Sequence, residues 1–164
     1  MSQTPILKVR NLSVSFTTND GIVDAVKDVS FDLLKGDTLA IVGESGSGKS
    51  VSTNALMQLL PNNAIVHSQS SIEFENEELL DKSEKTMQSI RGDRIGMIFQ
   101  EPMTSLNPFM RVGIQVAEAI MCHRSVTRSQ AKQKVLDLFD LVHLPNPQQA
   151  YTKYPHEFSG GQLQ

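Results

Sequence analysis

Residues 43–50 read Gly-Glu-Ser-Gly-Ser-Gly-Lys-Ser, a match to the spacing G-x-x-x-x-G-K-[ST]. Gly43, Gly46 and Gly48 allow a tight backbone turn that side chains would block. With Glu44, Ser45 and Ser47 between them, such a turn directs several peptide N–H groups into one concavity, which suits phosphate oxygens. Lys49 adds a point charge for β- and γ-phosphates, and the Ser50 hydroxyl, followed by Val51, is placed to meet Mg²⁺. The chemistry expected is capture of a metal-complexed polyphosphate.

The flanks must hold that turn. Thr38–Val42 is a short apolar, partly β-branched run, which predicts a buried parallel strand. Ser50–Leu60 reads as a helix with Leu56, Leu59 and Leu60 near one side, stopped by Pro61. Strand, glycine loop and helix N-terminus together put phosphate where partial positive charge gathers.

Composition narrows the partners. The chain has 164 residues, 39% of them hydrophobic, with no Trp and a net charge of −3. That length fits one domain, or one domain with a smaller lobe. The mild negative charge argues against free nucleic acid as a partner. No apolar run approaches the ~20 residues that span a bilayer. Nothing at the N-terminus resembles a signal peptide. Cys122 is the only cysteine, so no internal disulfide framework is possible. A cytoplasmic location is the expectation, with any membrane attachment made through protein contacts.

Ahead of the glycine loop, Ile6–Phe16 alternates as a strand and Asn19-Asp20-Gly21 is a turn signal. Ile22–Val29 and Ser30–Leu34 predict returning strands, so the first forty residues form a β-rich layer. Beyond Pro61, residues 62–69 are irregular, Ser70–Phe74 predicts a strand and Glu84–Ile90 a short helix. Ile95–Phe99 predicts a second apolar strand, with Gln100 at its end, where functional groups often sit. From Glu101 the pattern turns helical: Met110–Met121, then a capping box at Thr127-Arg-Ser-Gln130, then an apolar stripe of Val135, Leu138, Phe139 and Val142. Pro145, Pro147 and Pro155 break up the stretch after that stripe. Residues 1–100 are therefore expected to form a β layer and nucleotide-binding core, and residues 101–164 a helical subdomain.

A third signal closes the chain. Phe158-Ser-Gly-Gly-Gln162 sets a helix-capping Ser before two glycines, a backbone loop able to face an anion. Taken with the glycine loop and Gln100, it resembles the ATP-binding subunits of ABC transporters. Gly43–Ser50 looks like the Walker A motif, Gln100 like the Q-loop glutamine, and Ser159-Gly-Gly-Gln162 like the ABC signature, with Phe158 where leucine is commoner. Three longer stretches, Gly43–Val51, Phe99–Pro108 and Tyr154–Gly161, look like the dipeptide and oligopeptide import subfamily. Within it the pattern is most similar to the fused two-cassette importers of the microcin C type.

That resemblance implies an α/β P-loop NTPase fold: an ABC-type nucleotide-binding domain with an N-terminal antiparallel β layer and a helical subdomain. It implies ATP and Mg²⁺ as ligands. Lys49 and Gln100 carry catalytic roles, with Ser50 and Gln100 near the metal. Phe16 takes the place of the aromatic that stacks on adenine, core packing being its other reading. Ser159, Gly160, Gly161 and Gln162 contact the ATP of an opposing cassette, supplied by the same chain or a paralogous subunit. Met103, Leu106 and Phe109 fall where the family docks on transmembrane permease subunits, though lobe packing explains them equally. A periplasmic or extracellular solute-binding protein is an indirect partner, nucleic acid is none, and the subunit lies peripherally on the cytoplasmic side of the membrane.

The adjacent His156 and Glu157 invite a catalytic reading, but neighbouring side chains need not face one site. His67, His123 and His143 have no metal-ligand spacing with one another or with Cys122. The family's apolar strand ending in Asp-Glu, and its switch histidine, have no counterpart in the 164 residues. Asp137 and Asp140 lie in a helical stretch. The segment is therefore expected to be the front of a longer cassette, able to hold nucleotide phosphates but barely to hydrolyse ATP, with a marginal core. The rival readings are a non-transport ABC ATPase and a nucleotide-binding or interaction module without turnover.

Overall fold

The computed structural model describes residues 4–99 and 105–163. They divide into two compact units, residues 1–88 and 89–164, with the boundary inside one short helix.

The first unit is built on a long hairpin. Strands β1 (Pro5–Thr18) and β2 (Gly21–Leu34) pair antiparallel around a tight turn in which Thr18 is opposite Gly21. The Asn-Asp-Gly signal is thus the hairpin tip, and the two returning strands expected from the sequence are one continuous strand. Register shifts interrupt the ladder on either side of Leu12, and the bulge residues Asn11 and Asp28 both adopt left-handed φ of 49°. Asn11 Nδ2 donates to Asp28 Oδ1 at 2.7 Å, which ties the two bulges together.

The other edge of β1 takes two short strands. Strand β3 (Ala64–Val66) pairs with residues 14–16, and β4 (Ser71–Phe74) pairs with residues 7–10. Strand β5 (Glu77–Glu78) extends the sheet beyond β4, giving the order β2-β1-β4-β5 with β3 alongside β1. Val9, Leu12, Val14, Val26, Ile72, Phe74 and Leu79 are buried and form the apolar interior of this unit. Residues 64–66 lie in a stretch that the sequence pattern leaves irregular. Three residues carry too short a pattern to register, and only the free edge of β1 makes them a strand.

Helix α1 (Lys49–Leu56) follows the glycine loop and is shorter than expected. Gln58 adopts φ 49°, and the N–H groups of Gln58 and Leu59 turn back to the carbonyls of Ala55 and Asn54. This left-handed closure ends the helix before Pro61 is reached. Helix α2 (Glu84–Ile90) has the predicted bounds.

Two predicted strands are not formed. Residues 37–44 and 96–99 carry no regular secondary structure, and Ile95 makes only one isolated bridge, to Arg91. A parallel strand is held by its neighbours, since its own residues supply no internal hydrogen bonds. Among the described residues, nothing pairs with 38–42, and Val42 and Ile98 are 88% and 82% exposed. The apolar character is legible, but the described residues do not supply the pairing it calls for.

The second unit is helical. Helices α3 (Val112–His123), α4 (Arg128–Leu141) and α5 (Pro147–Thr152) enclose a core of Val112, Ala117, Ala131, Val135, Phe139 and Ala150. The capping box is present as predicted. Gln130 N–H donates to Thr127 Oγ1 at 3.3 Å, and Thr127 N–H donates to Gln130 Oε1 at 2.9 Å. On α4 Ala131, Val135 and Phe139, at intervals of four, face the helical core and Leu136 is buried too, whereas Leu138, Leu141 and the C-capping Val142 remain exposed. The expected stripe was therefore half right: Leu138 and Val142 lie off the buried face. Gly113 allows α3 to pack against α5, because a Cβ there would overlap the Tyr151 ring and lie 2.6 Å from its carbonyl oxygen. A 3-10 turn (Pro155–Glu157) and a final turn α6 (Gly160–Leu163) complete the unit.

Candidate nucleotide-binding site

The glycine loop has the backbone that its sequence demands. Gly46 and Gly48 take φ of 81° and 87°, the left-handed region where an L side chain is strained. Gly48 is constrained twice. A Cβ on it would collide with the Ala25 carbonyl oxygen of β2 and lie 3.1 Å from Val26 Cγ2. The loop thus rests directly on the hairpin. At Gly43, a Cβ would lie 2.6 Å from Ser47 Oγ, so this glycine lets the loop close on itself.

Lys49 curls back over the loop. Its Nζ donates to the carbonyl oxygens of Gly43 and Glu44, each at 2.7 Å, and lies 3.4 Å from Ser47 Oγ. With two loop carbonyls on the ammonium and Ser47 N–H bonded to Glu44 O at 3.2 Å, the turn is cross-braced. Helix α1 starts at Lys49 with Gly48 as its N-cap, no side-chain cap and no acidic residue in the first turn. The helix therefore presents first-turn N–H groups and a lysine, with no carboxylate to offset them. Ser50, at the second helical position, is exposed, while Ser52 and Ala55 on the buried side anchor the helix. Ser50 thus offers an exposed hydroxyl oxygen at the helix start, beside the loop. A cavity of about 470 Å³ adjoins the loop, lined by Val26, Val29 and Phe31 of β2 together with Ile41, Val42 and Lys49.

Phe16 is half-buried on β1, opposite Val23 of β2 and Ala64 of β3. It stands on the same hairpin that the loop touches at Ala25. Gln100 lies outside the described residues, as does Met103. Of the other two residues considered for docking, Phe109 is 88% exposed and Leu106 packs on the helical core.

The Ser159–Gln162 segment is exposed throughout. Ser159 N–H donates to Gln162 Oε1 at 3.0 Å, and Gln162 N–H donates back to the Ser159 carbonyl at 2.9 Å. This reciprocal pair opens α6. A Cβ at Gly160 or Gly161 would meet nothing within 4 Å. Among the described residues no packing accounts for these two glycines, which leaves backbone accessible to an outside group. Phe158, one residue earlier, packs on the helical core and places the segment.

The His156 and Glu157 side chains do not act together. Glu157 Oε2 accepts from Tyr154 N–H at 2.7 Å, and the His156 ring stacks on Tyr154 with centroids 5.8 Å apart. No cluster of three metal-ligating side chains occurs among the described residues. One constellation has no signal in the sequence. The Ser15 hydroxyl, with its residue 1% exposed, donates to Asp24 Oδ1 at 2.8 Å and lies 2.7 Å from His67 Nε2. The Ser15 hydroxyl, and after it Lys27, holds the Asp24 carboxyl below its usual range.

The glycine loop with the helix that it opens, and the exposed glycine turn, are the segments that carry the resemblance to ATP-binding cassettes. The chain belongs to the ABC transporter family, whose model matches residues 26–164. It is 48% identical over 161 residues to the oligopeptide transport ATP-binding protein OppD of Bacillus subtilis, covering 98% of this chain and 45% of that protein. It is 49% identical over 159 residues to the dipeptide transport ATP-binding protein DppD of the same organism, covering 97% of this chain and 48% of that one. The chain thus spans about half the length of the curated relatives that it matches. The fold is that of a bacterial ABC transporter cassette solved as a dimer: TM-score 0.81 at 23% identity, covering 96% of this chain and 65% of the other. The expected family and fold class are thereby established. No helix among the described residues is long and apolar enough to cross a membrane.

Proposed function

We propose that this chain supplies the ATP-binding face of an importer of peptides or related small solutes, coupling ATP hydrolysis to transport. The observation that carries the reading is the glycine loop: two left-handed glycines, a lysine folded over the turn and an uncapped, acid-free helix start. In this reading the amides of Gly43–Gly48 and the N–H groups of Lys49, Ser50 and Val51 hold the phosphates, and Lys49 neutralises them. Ser50 and Gln100 hold Mg²⁺, which offsets phosphate charge when bound. Phe16 carries the adenine.

Ser159, Gly160, Gly161 and Gln162 complete the site of a second cassette, from the same chain or a paralogous subunit. Their exposed glycines support that role. ATP then favours the closed pair because only closure completes both sets of contacts. Closure and opening act on transmembrane permease subunits, with a solute-binding protein delivering cargo from outside and this subunit peripheral on the cytoplasmic face. The similarity to OppD and DppD over nearly the whole chain favours peptide-class cargo.

The test is Mg²⁺-ATP binding by the intact polypeptide carrying Lys49→Ala. Loss of one charge-assisted contact to phosphate predicts about a 30-fold weaker affinity. Unchanged affinity would remove the basis of the proposal.

A further inference from the structure

We infer that Ser15, Asp24 and His67 are positioning residues for the nucleobase: their hydrogen-bond chain, centred on the buried Ser15 hydroxyl, fixes the apolar platform formed by Phe16 and Val23. This rests on the reading of Phe16 as the base-stacking residue and names what holds it in place.

The three polar residues come from three strands or their ends. Ser15 lies on β1, Asp24 on β2, and His67 directly follows β3. Ser15 has one hydroxyl proton and gives it to Asp24, so its oxygen accepts from His67 Nε2–H, which fixes the imidazole tautomer. The outer carboxylate oxygen of Asp24 pairs with Lys27 Nζ at 3.2 Å, and His67 N–H donates to the Ser13 carbonyl at 3.0 Å. The chain therefore runs across the sheet from β2 through β1 to the end of β3. It lies where the ladder is weakest, since register shifts fall between Leu12 and Val14 and again between Val14 and Ser15. Beyond the last shift, Ser15 pairs with Asp24 and Phe16 with Val23 without interruption.

Successive residues of a strand face opposite sides. Ser15 and Asp24 thus bond on one side of the ribbon, while Phe16 and Val23 lie together on the other. Val23 is 54% exposed and Phe16 half-buried, an apolar pair open to a flat ligand. A one-residue slip at the bulge would send Phe16 to the wrong side. The Ser15–Asp24 bond opposes that slip by pinning the first regular pair after the bulge. Asp24 also sits between Val23, beside Phe16, and Ala25, the residue on which Gly48 rests. One bond thus fixes the base platform relative to the phosphate loop.

The experiment compares ATP with inorganic tripolyphosphate as ligands of the intact polypeptide. Ser15→Ala weakens ATP about fivefold while tripolyphosphate stays within about twofold. Ser15→Thr, which keeps the hydroxyl, restores ATP binding, and His67→Gln, which keeps a donor, has the smaller effect. Phe16→Ala also weakens ATP selectively, and adding Ser15→Ala to it costs nothing more, because the platform is already gone. If Phe16→Ala is selective but Ser15→Ala is silent, the positioning role is overturned and the stacking role stands. If Phe16→Ala is silent, the stacking role itself falls. If Ser15→Ala weakens both ligands equally, the chain is a general structural brace and the inference is wrong.

Discussion

Gly46 and Gly48 look equivalent in the sequence, yet the structure separates them, and Gly→Ala at each tests the loop geometry. Both sit at left-handed φ, 81° and 87°. Holding alanine there costs about 1–2 kcal/mol at either position. At Gly46 nothing lies within 4 Å of the added Cβ, so that is the whole cost. At Gly48 the methyl also overlaps the Ala25 carbonyl and crowds Val26. A backbone carbonyl cannot swing away as a flexible side chain can, so the loop must lift off β2, adding about 1–3 kcal/mol. If the strain falls on the conformation that binds phosphate, ATP affinity drops about tenfold for Gly46→Ala and about 100-fold or more for Gly48→Ala. Titration calorimetry with Mg²⁺-ATP on the intact polypeptide reads both values. Equal losses, or a larger loss at Gly46, would refute the packing of the loop on the hairpin.

Other perturbations bear on the two units. Thr127→Ala removes the α4 capping box and should lower the stability of the helical unit by about 1 kcal/mol, read as a shift in its denaturant midpoint. Gly113→Ala drives a methyl into the Tyr151 ring and carbonyl and should cost about 2–3 kcal/mol; a neutral result would show that α3 and α5 do not approach as closely as described. Acid should loosen the first unit. The Asp24, Asp32 and Glu78 carboxyls all titrate below their ordinary values of 3.8, 3.8 and 4.5. Asp24 is held down first by the Ser15 hydroxyl, and Asp32 by its hydrogen bond to Arg10. At Glu78 burial pushes the other way but is outweighed by Ser71 and the N–H groups of Leu80, Ile72 and Leu79. A depressed folded-state value adds stability above the unfolded value and loses it as pH falls through the folded one. Unfolding monitored by circular dichroism should therefore set in below about pH 4 and be less pH-sensitive in Asp24→Asn.

What the sequence announced was whatever depends on backbone geometry within a few residues. The glycine loop, the hairpin tip at Asn19-Asp20-Gly21 and the Thr127–Gln130 box each leave a local mark, because a positive φ or a helix start restricts residue type. What escaped depends on distant partners. Residues 38–42 and 95–99 show that an apolar β-branched run states a preference for burial but does not supply a neighbour. Strand β3 is the converse: its own residues predict little, and the open edge of β1 makes it a strand. The Ser15, Asp24 and His67 chain joins residues nine and fifty-two positions apart, so no window of local pattern contains it.

The glycine loop is moored unequally at its two ends. Downstream it runs into α1, whose buried Ser52 and Ala55 seat it firmly. Upstream it hangs from residues 38–42, whose amides have no backbone partner among the described residues. Amide exchange should therefore be fast through 38–43 and slow from residue 52 onward, with the gradient crossing the loop itself. On the proposed reading, a triphosphate gathered by such a loop must immobilise its slack side. Part of the contact energy is consumed in stiffening the chain, so the measured affinity reports how taut the upstream segment already is.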